Sequence, residues 1–397
     1  MKATAIRVDI NSPLDPKSGK ILDEWRIKEA AKSLKEYEGA PVVVMAHQGR
    51  PGGEDFTSLV EHARVLNKYL KQTEFVEDII GPTARARIKE LNEGEILLLD
   101  NVRFLSEELL KAPIEVLATS HFVRRLAPLF ETFVNDAFAA AHRSQTSLVG
   151  FSEVLPSYAG PLMKKELTSL NKVLLDPNLP VIFLIGGAKA RTKLELINHL
   201  LNNKKTDKVL ASGLIGHYFL QAKGIRLGEA SEYPLKNGEL LNLAKIILKR
   251  HGDAIVVPSD VAVNKMGERT EIQVQSLPSE YEILDIGSRT IDIYNSIIQS
   301  AGTVCINGPA GYFEEKAFAH GTEQLIKTIA ESSAFSVIGG GHLTVVAMKL
   351  SYYDRIDHVS TGGGATLAYL AGEKLPVIEA LRRAYQRDGR DFPFSTE

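Results

Sequence analysis

Basic side chains that could hold an anion recur at turns in the first half of this chain. They stand at Arg7, Arg26, His47, Arg50, Arg103 and the His142-Arg143 pair. Arginine grips a phosphate through a forked, charge-assisted contact. A lone arginine at a strand end more often forms a surface ion pair. Here four such turns are expected at the same edge of one sheet, which favours a small polyanionic ligand.

Glycine clusters replace the arginines in the second half. They are Gly186-Gly187-Ala188-Lys189, Asn307-Gly308-Pro309, Gly339-Gly340-Gly341 and Gly362-Gly363-Gly364. Glycine lets main-chain N–H groups and a helix N-terminus approach a phosphate. Lys189 and Lys193 share one helical face and could point at one anion, although solvated lysines in a plain turn are the alternative. Two anion-binding designs in separate halves favour a phosphoryl transferase.

The bulk properties exclude several other classes of protein. The length of 397 residues predicts two domains, or at most three. The formal net charge of −2 argues against a nucleic-acid partner. A single cysteine, Cys305, excludes a disulfide framework and a cysteine metal cluster. The N-terminus lacks an apolar signal segment, and no apolar run nears the about 20 residues that span a membrane. We therefore expect a cytoplasmic protein with no membrane partner.

Short apolar runs alternate with longer amphipathic stretches along the whole chain. The runs predict strands at Thr4–Val8, Pro41–Met45, Glu74–Val76, Glu95–Leu99, Thr132–Val134, Val181–Ile185, Lys208–Leu210, Ala254–Val257, Thr303–Ile306, Phe335–Ile338 and His358–Ser360. Most are apolar on both faces, as in parallel strands covered by helices. This alternation predicts an α/β protein with two doubly wound, Rossmann-like parallel sheets. Ligands of such sheets bind beyond the carboxyl ends of the strands.

Helical patterns and a break divide the chain further. Helices are expected at Glu24–Tyr37 (capped by Asp23), Thr57–Leu70, Thr192–Leu201 and Leu162–Leu175. The last of these follows the break Tyr158-Ala159-Gly160-Pro161 and would connect two domains as a hinge helix. The stretch Glu268–Gly287 is rich in strand formers and predicts an antiparallel addition. The polar tail Asp388–Glu397 is expected to be loosely held unless it docks.

Taken together, these motifs resemble phosphoglycerate kinase of the archaeal type. The matching pieces are RVDIN (Arg7–Asn11), HQGRPGG (His47–Gly53), NVRF (Asn101–Phe104), VNDAF and AHR (within Val134–Arg143), GGAK with a second lysine (Gly186–Lys193), NGPAGYFE (Asn307–Glu314), GGGHLT (Gly339–Thr344) and STGGGAT (Ser360–Thr366). The resemblance implies reversible transfer of the acyl phosphate of 1,3-bisphosphoglycerate to ADP, giving 3-phosphoglycerate and ATP, with Mg²⁺. It also implies a phosphoglycerate domain at 1–160, onto which 375–397 packs back, and a nucleotide domain at 161–374.

The resemblance assigns residues to each site. The phosphoglycerate site would comprise Asp9, Ile10, Asn11, Arg26, His47, Gln48, Gly49, Arg50, Arg103 and Arg143. The nucleotide site would comprise Gly187, Ala188, Lys189, Lys193, Gly213, Asn307, Pro309, Glu314, Gly340, Gly341, His342 and Leu343. Arg26 and Lys189 would be catalytic, stabilising the transferring group from opposite domains. Separate sites imply hinge closure during the catalytic cycle.

Two positions depart from the wider family. His342 follows the triple glycine where most members have Asp, and magnesium prefers oxygen to imidazole nitrogen. We therefore expect nucleotide phosphates and water to hold Mg²⁺, and we assign no protein ligand to it. Leu214 stands where much of the family has glycine, and it would reshape the adenine pocket.

Two other functions remain as alternatives at this point. A nucleotide-linked oxidoreductase is disfavoured because the Gly-x-Gly-x-x-Gly signature is missing. A non-catalytic nucleotide-binding protein on the same fold is disfavoured because Arg26 and Lys189 are both retained. The expected quaternary state is a monomer, with a dimer as the alternative.

Overall fold

Two compact units make up the computed structural model, which describes residues 2–70, 72–232, 235 and 237–394. Unit 1 comprises the chain up to Thr168 together with the C-terminal segment from Lys374. Unit 2 comprises Ser169–Glu373. The chain first passes from unit 1 to unit 2 inside a continuous helix, Pro161–Leu175, and it returns to unit 1 between Glu373 and Lys374.

Unit 1 is built on a parallel sheet of six strands in the order β3-β4-β2-β1-β5-β6. The strands are β1 Ala3–Val8, β2 Val42–Met45, β3 Thr73–Val76, β4 Ile96–Leu99, β5 Phe130–Asp136 and β6 Ser157–Ala159. Every residue of β2 and β4 is buried, as expected where helices cover both faces of a sheet. The strand order reverses between β1 and β5, which places the ligand crevice of this fold type beyond their carboxyl ends.

Unit 2 carries a second parallel sheet of six strands and a separate antiparallel sheet of three. Its strands are β7 Val181–Ile185, β8 Lys208–Ala211, β9 Ile255–Val256, β10 Asp260–Lys265, β11 Glu268–Gln273, β12 Ile283–Ile286, β13 Thr303–Asn307, β14 Phe335–Gly339 and β15 His358–Ser360. The parallel order is β15-β14-β13-β7-β8-β9, with its reversal between β13 and β7. The antiparallel order is β11-β10-β12, with β10 in the centre.

Helices cover both parallel sheets. They are α1 Trp25–Leu34, α2 Val60–Leu66, α3 Pro82–Glu90, α4 Ile114–Ala118, α5 His121–Leu126, α6 Pro161–Leu175, α7 Ala190–Asn202, α8 Gly213–Ala222, α9 Glu229–Glu232, α10 Gly238–His251, α11 Ser288–Gln299, α12 His320–Glu331, α13 Gly341–Lys349, α14 Gly364–Leu370 and α15 Pro376–Arg387. One apolar cluster of unit 2 lies between β-strands and α11, α12 and α13. Described residues of unit 1 form apolar clusters on its sheet, and α1 and α2 pack into one of them.

The predicted fold class and parallel strands are confirmed, with strand ends shifted by a residue or two. The antiparallel addition is also confirmed, although it begins earlier, at Asp260. The interpretation of Tyr158-Ala159 as a break is wrong, because these two residues belong to β6 and pair with Val134 and Asn135 of β5. This strand is only three residues long, too short for a periodic signal.

Two helix predictions were too long. The main-chain N–H of Leu59 donates to Asp100 Oδ1 at 2.9 Å, so the residues before Val60 belong to a turn and α2 starts late. The α-helix after Asp23 ends at Leu34 and tightens into a 3-10 turn over Lys35–Tyr37. The N-cap position of this helix is Glu24, one residue later than predicted, and Asp23 accepts the N–H of Trp25 at 2.9 Å from just before it.

The C-terminal segment packs on unit 1 through arginine side chains. Arg387 donates to the carbonyl oxygens of Ser152 and Leu155, both at 2.7 Å. The Arg390 guanidinium lies 4.3 Å from the centre of the Tyr158 ring and 4.2 Å from that of Tyr385. The polar tail is therefore docked through Arg390, and the last three residues of the expected tail lie outside the described ones.

Candidate active site

The carboxyl end of β1 in unit 1 holds a carboxylate between cations. Arg26 Nη1 lies 3.1 Å from Asp9 Oδ1, and the main-chain N–H of Asn11 donates to the same oxygen at 3.1 Å. Burial alone would raise the pKa of Asp9, but the charges of Arg26 and Arg7 and this N–H outweigh it and lower the pKa to about 2. Asp9 is therefore ionised at neutral pH, and it orients Arg26 on α1.

Arg7 supports this site from behind instead of facing a ligand, contrary to its grouping with the anion-holding arginines. It is fully buried, and Nε donates to Ser147 Oγ at 2.8 Å while Nη2 lies 2.9 Å from His47 Nδ1. Arginine can only donate, so Nδ1 of His47 must be the acceptor and its proton must lie on Nε2. Burial lowers the pKa of His47 well below its usual value, which keeps the ring neutral.

A buried carboxylate completes the support. Glu108 accepts from the main-chain N–H and the hydroxyl of Ser147, both at 2.7 Å, and Ser147 in turn accepts from Arg7. Burial raises the pKa of Glu108, and Arg7 opposes that rise. Sequence reasoning missed Glu108 and Ser147, because neither stands in a motif and their roles depend on contacts made about 40 and 140 residues away along the chain.

Three of the residues expected at the phosphoglycerate site, Asn11, Gln48 and Gly49, stabilise the turn after β2. Gln48 is fully buried and exchanges hydrogen bonds with the backbone of Ser12, each at 2.9 Å, and Asn11 Oδ1 accepts the N–H of Gly49 at 2.9 Å. Gly49 has φ +63, and a Cβ there would lie 2.4 Å from the carbonyl oxygen of Asp55. Ile10 belongs to the apolar core. The side chains of Ile10 and Gln48 are thus structural, which leaves their backbone for any ligand contact.

Arg50, Arg103 and Arg143 form a group of cations that repel one another. Burial, followed by the charges of Arg143 and Arg7, lowers the pKa of Arg103 to about 10. Burial also lowers the pKa of Arg143, with Arg50 and Arg26 adding to the effect. Arg103 Nη1 donates to the carbonyl oxygen of Gly49, but its buried Nε has no partner among the described residues. This arrangement favours an incoming anion.

In unit 2, a cavity of about 660 Å³ opens at the carboxyl ends of β7, β13 and β14. All twelve residues expected at the nucleotide site line it: Gly187, Ala188, Lys189, Lys193, Gly213, Asn307, Pro309, Glu314, Gly340, Gly341, His342 and Leu343. Helices α13 and α14 begin at its wall, so their unpaired N-terminal N–H groups are available to an anion there.

Lys193 lies at the centre of the glycine turns. Its Nζ donates to the carbonyl oxygen of Gly186, and the side chain is 4% exposed. A Cβ on Gly308 would lie 2.3 Å from this Nζ, and one on Gly187 would lie 3.0 Å from it. Glycine at these two positions is what lets the lysine enter. Burial and the charge of Lys189 lower the pKa of Lys193 to about 8, so it is mostly charged at neutral pH.

The two departures from the wider family both line this cavity. His342 is exposed, and its ring lies 5.0 Å from that of Phe313. Leu214 follows Gly213 in the first turn of α8. Sequence reasoning missed His217, which lies on the same wall one turn later; the apolar helix around it gave no signal. Among the described residues, no group of three His, Cys, Asp or Glu side chains is placed to hold a metal ion. None of the described helices is long and apolar enough to cross a membrane.

Comparisons with known proteins agree on one family. A family model described as phosphoglycerate kinase matches residues 1–373. The phosphoglycerate kinase of Methanothermus fervidus is 44% identical over 391 residues, covering 97% of this chain and 95% of the relative. That of Methanococcus maripaludis is 46% identical over 401 residues, covering 97% and 96%.

Solved structures give the same result. The crystal structure of phosphoglycerate kinase from Pyrococcus horikoshii OT3 is 41% identical to this chain, with a TM-score of 0.90 and 97% of each chain covered. The phosphoglycerate kinase structure from Coxiella burnetii is 32% identical, with a TM-score of 0.81 and 96% of each chain covered. These likenesses extend over both units.

Proposed function

The chain belongs to the phosphoglycerate kinase family and has its activity, the reversible transfer of a phosphoryl group between 1,3-bisphosphoglycerate and ADP in glycolysis and gluconeogenesis; from this premise, we propose how its residues divide the work. Unit 1 binds the phosphoglycerate and unit 2 binds the nucleotide. The oxidoreductase and the non-catalytic binding protein are not favoured, because full-length relatives are named as the kinase.

The cavity of unit 2 carries the nucleotide assignment. Twelve residues from separate segments line this one cavity, and two helices begin at its wall, which supports a nucleotide site there. Lys193, fixed by the Gly186 carbonyl, would hold a nucleotide phosphate, and Lys189 would follow the transferring phosphoryl. Glu314, on the same wall, would accept a ribose hydroxyl.

The cations of unit 1 carry the phosphoglycerate assignment. Arg50, Arg103 and Arg143 would bind the non-reacting phosphate, which replaces their mutual repulsion with charge-assisted hydrogen bonds. His47 would add a neutral Nε2–H donor. Arg26, oriented by Asp9, would neutralise charge on the transferring group.

Phosphoryl transfer then needs positioning and charge neutralisation more than covalent chemistry. Magnesium enters in this proposal as part of the MgATP or MgADP substrate and neutralises phosphate charge there. The hinge closure expected from the sequence stays a prediction, which small-angle scattering with and without both substrates would check. A cytoplasmic location and a monomer likewise stay predictions, and light scattering during gel filtration would detect a dimer.

Steady-state kinetics of two site variants and two control variants test which unit binds which substrate. The assay follows ATP-dependent phosphorylation of 3-phosphoglycerate with and without Mg²⁺. We expect Lys189→Ala to lower kcat by about 10²–10³, as when one charge-stabilising group is removed from an active site. Arg50→Ala should raise KM for 3-phosphoglycerate while leaving KM for ATP unchanged.

Matched controls come from exposed residues of the same units. Lys245 on α10 and Arg124 on α5 are both exposed and stand outside the proposed sites. Alanine at either position should leave all constants near wild type. An unchanged kcat in Lys189→Ala would remove its assigned role. If Arg50→Ala changed only KM for ATP, the assignment of ligands to units would be wrong.

A further inference from the structure

His217 has hydrogen-bonding capacity that nothing in the described part of the chain satisfies. The residue is 7% exposed, lines the cavity of unit 2, and has a buried Nδ1 with no hydrogen-bond partner. A buried polar atom without a partner is costly, and in native structures such an atom usually has a partner or a function. The residue roles proposed above for phosphoryl transfer do not include this side chain.

The position of His217 relative to the phosphate-binding turn is set by α8. The helix starts at Gly213, whose N–H donates to the carbonyl oxygen of Ala310 at 2.9 Å. A Cβ on Gly213 would lie 2.6 Å from the nitrogen of Gly187, so the helix begins against the glycine turn. His217 is one turn further along, about 6 Å away on the helix axis.

Many of the residues that line the cavity with His217 are apolar, although the carboxylates Glu282 and Asp285 also line it. Leu214 precedes it by three residues on the same face of α8, and Pro258, Val261 and Leu284 line the cavity with them. A largely apolar wall with a small number of polar groups suits the flat surface and polar edge of a nucleobase.

From this arrangement we propose that His217 hydrogen-bonds directly to the base of the bound nucleotide and is this chain's base-recognition residue. The inference rests on the proposed function of the cavity as the nucleotide site. Burial lowers the pKa of His217 to about 4, so the ring stays neutral between pH 6 and 8 with one N–H donor and one acceptor nitrogen. A base with no matching group leaves this imidazole unpaired, which is how a buried polar residue discriminates between ligands.

A cycle of enzyme variants and substrate analogues tests the contact. KM is measured for ATP and for four ATP analogues that each lack one polar group of the base, namely the 6-amino group, N1, N3 or N7. We expect one analogue to bind wild type about three- to tenfold more weakly than ATP, the effect of one hydrogen bond. The same analogue should bind His217→Phe no more weakly than ATP does.

Controls separate this inference from the proposed function. His358 is a second buried histidine of unit 2, on β15 and outside the residues that line the cavity, so His358→Phe should keep the wild-type pattern. If the His217→Phe variant does not fold, the same KM measurements are made on His217→Leu. Lys193→Ala should raise KM for ATP and all analogues equally.

The outcomes are distinct. Loss of discrimination against one analogue in the His217 variants alone supports the contact. If Lys193→Ala weakens ATP binding but no analogue distinguishes the His217 variants from wild type, the base contact is overturned and the nucleotide site stands. If Lys193→Ala leaves KM for ATP unchanged as well, both proposals fall.

Discussion

Replacing Asp136 by asparagine should stabilise unit 1 at neutral pH. Asp136 ends β5 and is 1% exposed, and its Oδ1 accepts the main-chain N–H of Met163 at 2.9 Å, in the first turn of α6. Its Oδ2 accepts the hydroxyl of Ser33. Burial raises the pKa of Asp136 to about 6, although Ser33 and the N–H groups of Met163 and Leu162 oppose the rise.

The sign and size of the effect follow from linkage. With a pKa of 3.8 in the unfolded chain and about 6 in the folded one, the folded state binds more protons between these values, so its stability falls as pH rises through them. At 1.36 kcal/mol per pKa unit, the penalty above pH 6 is at most about 3 kcal/mol. Asparagine avoids the charge, keeps the acceptor for Met163 and can donate to Ser33. Asp136→Asn should therefore gain up to about 3 kcal/mol at pH 8 and almost nothing at pH 4.

Tryptophan fluorescence measures this unit selectively. The chain has one tryptophan, Trp25, which lies on α1 in unit 1 and is 8% exposed. Urea unfolding followed by its emission, for wild type and Asp136→Asn at pH 4, 6 and 8, gives the free energy of unfolding at each pH.

The same substitution at Asp78 is the matched control, with the opposite sign. Asp78 caps α3 by accepting the N–H groups of Gly81 and Ala84 at 2.8 and 2.9 Å, and although burial opposes it, these bonds lower its pKa. Asp78→Asn should destabilise unit 1 at neutral pH. The reasoning fails if Asp136→Asn is less stable than wild type at pH 8, or if its advantage is the same at pH 4 and pH 8.

Three further changes in unit 1 have expected outcomes. Asp9→Asn removes the carboxylate paired with Arg26. Because the pKa of Asp9 is lowered from 3.8 to about 2, this change should lower the free energy of unfolding by about 2 kcal/mol above pH 4, and by progressively less as pH falls through 2. A difference in urea unfolding that stays constant with pH would contradict this. Arg7→Met should cost about 3–5 kcal/mol and raise KM for 3-phosphoglycerate by releasing His47; an unchanged KM would remove its supporting role. Arg390→Ala removes a cation that contacts two tyrosine rings and should cost about 1–2 kcal/mol, measured by thermal unfolding. Equal midpoints would show that these contacts do not anchor the C-terminal segment.

The strands of the parallel sheets could be predicted because a strand that is buried on both faces consists almost entirely of apolar residues. Runs such as Val42–Met45 and Val181–Ile185 are apolar throughout, and the structure buries every residue in them. The strand Ser157–Ala159 has no such mark. It is fixed by pairing with β5 and by Gly160, where a Cβ would lie 2.3 Å from Asp136 Oδ1. Tertiary contacts of this kind cannot be read from local pattern.

For the candidate site, the sequence indicated which segments converge but not which way each side chain points. Arg7 and Arg103 are both arginines beside a strand end, yet Arg7 is fully buried against Ser147 and His47. Burial lowers the pKa of Arg7, and the nearby carboxylate of Glu108 opposes this fall. His217 was missed for a different reason. A polar residue within an apolar helix is usually a core residue, so its sequence context gave no indication of a site.

The two proposed phosphate sites use different cations, and the choice of cation in each follows from the space available. Arg103 lies among other arginines, where its planar guanidinium can donate to the carbonyl oxygen of Gly49 and still present other N–H groups. Lys193 reaches its carbonyl partner through a gap where even a Cβ on Gly308 would lie 2.3 Å from Nζ. A guanidinium is wider than an ammonium group and would not fit there, so a compact point charge is required. In both places burial has already removed water from the cation, as the lowered pKa values of Arg103 and Lys193 indicate, so a phosphate can bind with little further desolvation.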